Sequence, residues 1–579
     1  MKMKKVTALV LAVSMIASLS ACGGTDTTGK AESTDSTETA DNSEFITLDF
    51  FDTPGNYQGV QPGWFGKIIK DKFNLEVNII SPNVAGGGET LYQTRSASGN
   101  LGDIISVSKE QLRDCVESGI IMDISDYYEN CENLKKYDVA VQGLKEYLDT
   151  DKVYGIPSRT SLRSPEDPET AGTQPSWANF MRVDLYKEIG APVLENQDDV
   201  LQALKQMQDL HPTTEDGSKV YAISMFKDWD GVYMNFPNMM TRLYGYNIDG
   251  DSFVFMNSDV SDIQTVIDDD GVYYKELKFL FEANQMGLVD PDSSSQNWDM
   301  VVEKTRNGQV LWEMWPWASI DHYNTEERTA EGKGFQAIPV MDQVLYSDSY
   351  NQYGNHGCVL AIGANCKNVD RAIEFLDWMG STEYMELTNS GPEGLTWEMV
   401  DGKAVITEFG KQAKSDPDNT TVPEEYGGGN YNSGCYLFNE GVGLAEDIDP
   451  RTNETYAMTG WSSINEDNKT KLQEDWTELF GAETPVDYFL ENDMMSIAPG
   501  TNYSRPTDSS AIAAERAQCG EAIKNASWSM VFASSEEEFN SIWEKLKADL
   551  PGYGYEEVLE VDYANAQLLK EAREAALAE

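Results

Sequence analysis

The sequence is poor in positive charge, in histidine and in the short motifs that announce catalysis. Lys and Arg number 43 against 98 Asp and Glu, for a net charge of −55. So few cations cannot neutralise a row of phosphates, which excludes duplex nucleic acid or an anionic lipid surface as a main partner. The three histidines, His211, His322 and His356, form no close pair. That argues against a zinc site built from several imidazoles. No CxxC occurs, and no GxxxxGK[ST], GxSxG or strand-borne GxGxxG. The glycine clusters Gly86–Gly88 and Gly427–Gly429 lack a following Lys-Ser/Thr and read as flexible loops. After residue 21 no apolar run reaches the roughly 20 residues that a membrane-spanning helix needs. What is abundant is apolar and aromatic material, 40% and 11% of the chain, enough to build real cores. For 579 residues about two to four packed units are expected.

The chain opens Met-Lys-Met-Lys-Lys and runs apolar to about Ser20, the pattern of an export signal. The run closes Leu19-Ser20-Ala21-Cys22 before Gly23-Gly24. This resembles the bacterial lipobox, which implies cleavage before Cys22 and a diacylglyceryl group on its sulfur. Residues 1–21 are thus expected to be a lipoprotein signal peptide. Residues 22–43, built from Thr, Ser, Asp, Glu and Gly, are expected to be a disordered acidic tether. The other six cysteines, Cys115, Cys131, Cys358, Cys366, Cys435 and Cys519, can be buried thiols or bridges, and their spacing selects no pairing.

Beyond the tether, strand and helix signals alternate. Strands are predicted at Phe45–Phe51, Leu75–Ile80 and Asp103–Val107, with helices near Trp64–Phe73, Glu89–Ala97 and Lys109–Ser118. This argues for α/β layers with mainly parallel pairing. Later strands are predicted at Val220–Ser224, Gln309–Trp315, Gly334–Val340 and Gly357–Gly363. A helix is predicted at Asn368–Met379, where Ala372, Phe375, Leu376 and Met379 fall on one face. Ser535 with Glu538 reads as a capping box. Asp290-Pro-Asp292-Ser-Ser294 begins like a calcium loop. Ser295 and Val301 stand where an EF-hand has Gly and Glu, so that motif is rejected. No metal or cofactor is expected. With 98 acids, paired carboxylates are unavoidable and do not by themselves mark a glycosidase.

Aromatic residues carry the positive signal. Trp312, Trp315 and Trp317 fall at the end of one predicted strand broken by Pro316. Indoles at such a terminus are placed to stack on the apolar face of a sugar. Trp312 is expected in the core and Trp317 against ligand, while Trp315 fits either. In open α/β sheets, ligands bind beyond the carboxyl ends of strands. Those ends nominate Asn56, Tyr57, Ser106, Ser108, Arg159, Asp228, Trp229 and Asp230. Asn355 and His356 precede a strand and are weaker candidates, a structural role being the stronger alternative for His356. For the polar candidates, caps, turns and surface positions remain the alternatives.

Several stretches then carry a family likeness. Gly99–Val107 resembles a "GDxPD" strand, with Ile105 in place of the usual Asp. Gly119-Ile-Ile-Met-Asp-Ile-Ser-Asp126 and Asp151-Lys-Val-Tyr-Gly-Ile-Pro-Ser158 resemble "GxxxDLSDY" and "GKxYGIP". Arg182–Gly190 with Pro192 resembles an "RxDWLxKLGLxxP" helix, Tyr273–Pro291 is similar to "YYxEALKFLxxLYKEGLIDP", and Gly391–Trp397 resembles "GxEGxxW". Their order and spacing resemble the extracellular solute-binding lipoproteins of ABC sugar importers, in particular the large lipoprotein group of Gram-positive bacteria. The resemblance implies a two-lobed periplasmic-binding-protein-like α/β fold, type II-like, with hinge strands and a central ligand cleft. It places crossings at Ile156–Pro157 and Ile338–Pro339. Lobe I is then expected at 44–157 and 338–390, and lobe II at 158–337 and 391–579. It also adds Trp397 to the candidate site. The implied function is capture of a carbohydrate, an oligosaccharide in particular, and its delivery to ABC permease subunits. The implied protein is a monomer without catalysis, anchored through lipid on the extracellular face of a Gram-positive cytoplasmic membrane. A lipid-anchored glycoside hydrolase and a binder of peptides or amino acids are the alternatives.

Overall fold

Alternation at the start of the folded chain builds the first sheet. Along Ile46–Asp52, Leu48 and Phe50 point into one core and Phe51 into another, as successive strand residues must. The same split recurs at Ile104 against Ile105, and at Leu360 and Ile362 against Val359 and Ala361. A sheet apolar on both faces has to be covered on both. The computed structural model describes residues 44–579 except 56, 83, 85–87, 355–357, 439, 466–468 and 579. Within it this sheet has six strands, in the order Gly59–Val60, Leu75–Ile80, Ile46–Asp52, Ile104–Ser108, Cys358–Ile362 and Ile156–Pro157. Ile46–Asp52 pairs in parallel with both its neighbours, whereas Cys358–Ile362 runs antiparallel to both of its own. Gly59–Val60 is antiparallel to Leu75–Ile80 as well, so the expectation of mainly parallel pairing holds only for the three strands Leu75–Ile80, Ile46–Asp52 and Ile104–Ser108. The expectations at Cys22, Asn56, Asn355 and His356 lie outside the described residues, as do the signal peptide and the tether.

Helix Val369–Met379 forms where its periodicity indicates, with Ala372, Phe375, Leu376 and Met379 buried in the first core. Helix Glu536–Asp549 also forms, but its box is offset. The Ser535 hydroxyl accepts the Glu538 amide at 3.2 Å, while the Glu538 carboxylate accepts the amide of Ser534 at 2.8 Å. The amides of Ser534 and Glu538 are both satisfied in this way.

A second core gathers Phe180, Leu204, Leu280, Phe335, Trp476 and Phe539. Its three-stranded sheet, in the order Trp312–Glu313, Asn179–Arg182 and Phe335–Ile338, is antiparallel throughout. The strand expected at Val220–Ser224 is reduced to two isolated parallel bridges, Tyr221 with Val310 and Ile223 with Val289.

Chain residues alternate between the two cores. Buried residues from Leu48 to Ile156 pack in the first core or in the core on the other face of its sheet, and those from Ala178 to Leu345 mainly in the second. Leu360 to Tyr456 return to the first, and Leu472 to Val558 to the second. Two boundaries differ from the sequence-based expectation. Ile338 is fully buried and ladder-paired to Asn179 inside the second core, so the second passage lies later, after Leu345. Leu395, Val422, Phe438, Val442 and Tyr456 pack with the first core, although 391–579 were expected in lobe II. The first two passages bond to each other, and the second also bonds to strand Met495–Ala498. The Ser161 amide donates to the Asn351 carbonyl at 3.0 Å, and the Ser349 amide to the Ala498 carbonyl at 2.9 Å.

Candidate functional site

The structure divides the nominated residues into two groups. The first gathers at strand ends of the six-stranded sheet. Asp52 ends strand Ile46–Asp52, Ser106 lies in strand Ile104–Ser108, and Ser158 and Arg159 follow Ile156–Pro157. Between them comes Glu440, which sequence reasoning missed and which lies 334 residues from its partner. The Ser106 hydroxyl donates to the Glu440 carboxylate at 2.7 Å. Burial pushes the Glu440 carboxyl up, opposed by hydrogen bonds from Ser106 and Ser158 and by the charge of Arg159. Arg159 takes a left-handed backbone, φ 50°, a conformation that costs a non-glycine residue about 1–2 kcal/mol. Two backbone bonds hold this turn, from the Arg159 amide to the Gly441 carbonyl at 2.9 Å and from Thr160 to Val442 at 2.7 Å. Arg159, Tyr384, Tyr436, Glu440 and Glu446 line a depression of about 120 Å³ there. Tyr57 packs against the first core and donates its hydroxyl to the Val60 carbonyl at 3.3 Å.

Ser108 does not join this group. It caps helix Lys109–Glu117, accepting the Gln111 amide at 3.2 Å while its own amide donates to the Gln111 side chain at 3.1 Å. Trp397 also stands apart. It is 1% exposed, packs on Trp461 with ring centroids 5.5 Å apart, and donates its indole N–H to the Gly391 carbonyl at 2.9 Å. It fills the space over its own hairpin and is a core residue.

The second group is a cluster of indoles on the second core. Trp229 lies 5.1 Å from Trp298 and 5.4 Å from Trp317, and Trp298 lies 5.3 Å from Trp317. Trp315 sits beneath them, 5.1 Å from Trp317 and only 2% exposed. Trp229 and Trp317 remain 44% and 38% exposed. Large aromatic rings left open beside one another form a platform onto which a flat apolar face can stack. The local reason differs from the sequence reading. Pro316 does not break a strand; it is the first residue of helix Pro316–Tyr323, with Trp315 as its N-cap. Proline suits that position because its missing N–H would be unsatisfied there in any case.

Asp228 and Asp230 hold this platform in place. The Asp228 carboxylate accepts the amide of Trp298, at the start of helix Trp298–Arg306, at 2.8 Å. Asp230 accepts the Asn235 amide at 2.8 Å and the Trp528 indole N–H at 2.7 Å, so both its oxygens are engaged. Burial pushes its carboxyl up. Trp298 was missed in the sequence, where it shows only as a helix-start residue after Asn297. Trp312 is fully buried, with its indole N–H on Asn179 at 3.0 Å. The six remaining cysteines are free thiols. Among the described residues no group of three or more His, Cys, Asp or Glu is placed to hold a metal, and no helix is long and apolar enough to cross a membrane.

Solved structures share this architecture at low identity. An HMO-binding ABC-transporter-associated solute-binding protein from Bifidobacterium longum infantis aligns with TM-score 0.60 and 14% identity, covering 91% of this chain and 99% of the other. FusA, an ABC-transporter substrate-binding protein of Streptococcus pneumoniae solved with kestose, aligns at 0.54 and 15%, with coverage of 91% and 99%. The N-glycan transport solute-binding protein NgtS of Streptococcus pneumoniae aligns at 0.52 and 14%, again over 91% and 99%. These are binding proteins, and the likeness establishes a mixed α/β, two-lobed fold. No curated protein matches the chain in sequence. Residues 59–386, more than half of its length, match the model of the bacterial extracellular solute-binding proteins, and the chain belongs to that family.

Proposed function

We propose that the protein captures a carbohydrate, an oligosaccharide in particular, and hands it to the permease of an ABC importer without chemically changing it. The observation that carries this is the half-open platform of Trp229, Trp298 and Trp317. Exposed indoles are costly in water unless something apolar covers them, and the C–H face of a sugar ring does so while its hydroxyls stay wet. The polar group at Ser106, Arg159 and Glu440 supplies donors and acceptors suited to hydroxyls. In this reading the two lobes close over the ligand, the passages near 158–177 and 346–354 absorbing the motion. Cys22 carries the lipid that holds a monomeric protein to the outer face of the membrane, and the acidic tether keeps it clear of the anionic surface. The sugar-binding neighbours from Bifidobacterium and Streptococcus support the ligand class.

The test is a thermal-shift screen against mono- and oligosaccharides, with peptides and amino acids as the comparison set. A ligand that binds only the folded state raises the midpoint. A raised midpoint with an oligosaccharide, and no product released from it, is expected. Shifts confined to peptides or amino acids would move the reading to those ligands. Turnover of any sugar would make the protein a hydrolase.

A further inference from the structure

Beside the indole platform lies a cavity of about 300 Å³, and Trp229 belongs to both. Its wall is one helical face. Asn235, Asn238 and Arg242 follow one another at i, i+3 and i+7 along Asn235–Met240 and the 3-10 turn Thr241–Tyr244. Arg242 is 8% exposed and Asn238 5%. Arg242 lies over the Trp177 ring at 4.5 Å and donates through Nη1 to the Met239 sulfur at 2.9 Å. Its Nε has no hydrogen-bond partner, nor does Asn238 Oδ1. Among the described residues no carboxylate forms an ion pair with Arg242. Asp348 attracts it from a distance while accepting the Tyr346 hydroxyl at 3.0 Å, and Asp251 is exposed at the cavity wall. A guanidinium taken out of water with no counter-charge is costly, and a partner of opposite sign removes that cost.

We propose that this cavity takes the carboxylate of an acidic sugar, a uronate or a sialate, within the glycan that stacks on the indoles. The inference rests on the carbohydrate reading above and narrows it. The planar guanidinium matches a carboxylate with two parallel N–H bonds, which a hydroxyl cannot return. Asn235 and Asn238 on the same wall are side chains of the kind that bond sugar hydroxyls. Acidic sugars carry hydroxyls close to theirs, whereas a bare anion offers none. The overall charge of −55 repels an anion at long range, so selection depends on this local pair.

The test titrates the protein with matched acidic and uncharged glycans, read by calorimetry: trigalacturonate against its methyl ester, sialyllactose against lactose, and a glucuronic-acid-bearing xylo-oligosaccharide against the plain xylo-oligosaccharide. At least one acid is expected to bind about tenfold or more tighter than its uncharged partner. Arg242→Met should erase that preference, while Trp317→Ala should weaken both members of the pair alike. Should Arg242→Met not fold, Asn238→Asp places a competing carboxylate in the cavity and should likewise abolish the preference. If uncharged glycans bind as well as the acids, or the preference survives in a folded variant, the assignment is overturned while the carbohydrate reading stands. If no glycan of either kind binds, both fall together.

Discussion

Replacing Trp317 by alanine separates a ligand platform from a packing cluster. The ring is 38% exposed, and its buried part rests on Trp315, Trp229 and Trp298 at 5.1–5.4 Å. A tryptophan offers roughly 250 Å² of surface, so about 90 Å² remains for a ligand to cover. At about 25 cal/mol per Å² that area is worth about 2 kcal/mol. Trp317→Ala should therefore weaken oligosaccharide binding about ten- to thirtyfold. Full burial of a tryptophan would put the stability loss at about 3–5 kcal/mol, and partial burial brings it to about 2–3 kcal/mol. Calorimetric titration with the best ligand of the screen, beside denaturant unfolding of the unliganded variant, reads the two quantities independently. An affinity within about threefold of wild type, whatever the stability change, would refute the stacking role and return Trp317 to packing.

Trp397→Ala should do the reverse, costing about 3–5 kcal/mol of stability with ligand affinity unchanged in the folded fraction, because the ring is buried on Trp461 and away from the platform. Burial pushes the Glu313 carboxyl up to about 8, opposed by the Met314 backbone amide. The folded state then holds this proton more tightly than the unfolded chain. Stability is full below the ordinary carboxylate range and falls as pH rises towards 8. Glu313→Gln should flatten that decline, seen as a smaller difference between urea midpoints at pH 5 and pH 8. Cys22→Ala should move the protein out of the membrane fraction, and a variant that still fractionates with membranes would contradict the anchor. Saturating ligand should lower the radius of gyration in small-angle scattering, and an unchanged radius would count against closure of the lobes.

What the sequence determined by itself is whatever local chemistry determines. The expectation of an export signal ending at Cys22 rests on charge, apolar length and small residues in one stretch. The helix at Val369–Met379 follows from apolar residues at a 3.6 spacing, and the first sheet from alternation around Leu48, Phe50 and Phe51. The indoles were visible as an unusual density of tryptophan near Trp315. Their arrangement was not, because Pro316 is equally at home ending a strand and starting a helix, and only the packing of helix Pro316–Tyr323 chooses. Ser108 looked like a strand-end ligand because a capping serine and a binding serine are the same residue until the Gln111 amide is placed. Trp298 joins Trp229 across 69 residues, and Glu440 joins Ser106 across 334. Neither meeting leaves a trace in local periodicity, since each depends on how whole elements dock. The segment from Leu395 to Tyr456 likewise returns to the first core, where its apolar side chains find room beside Phe50, Phe65 and Phe375. Local pattern chose the elements, and long-range burial of apolar surface, which has no preferred sequence separation, decided which of them form the site.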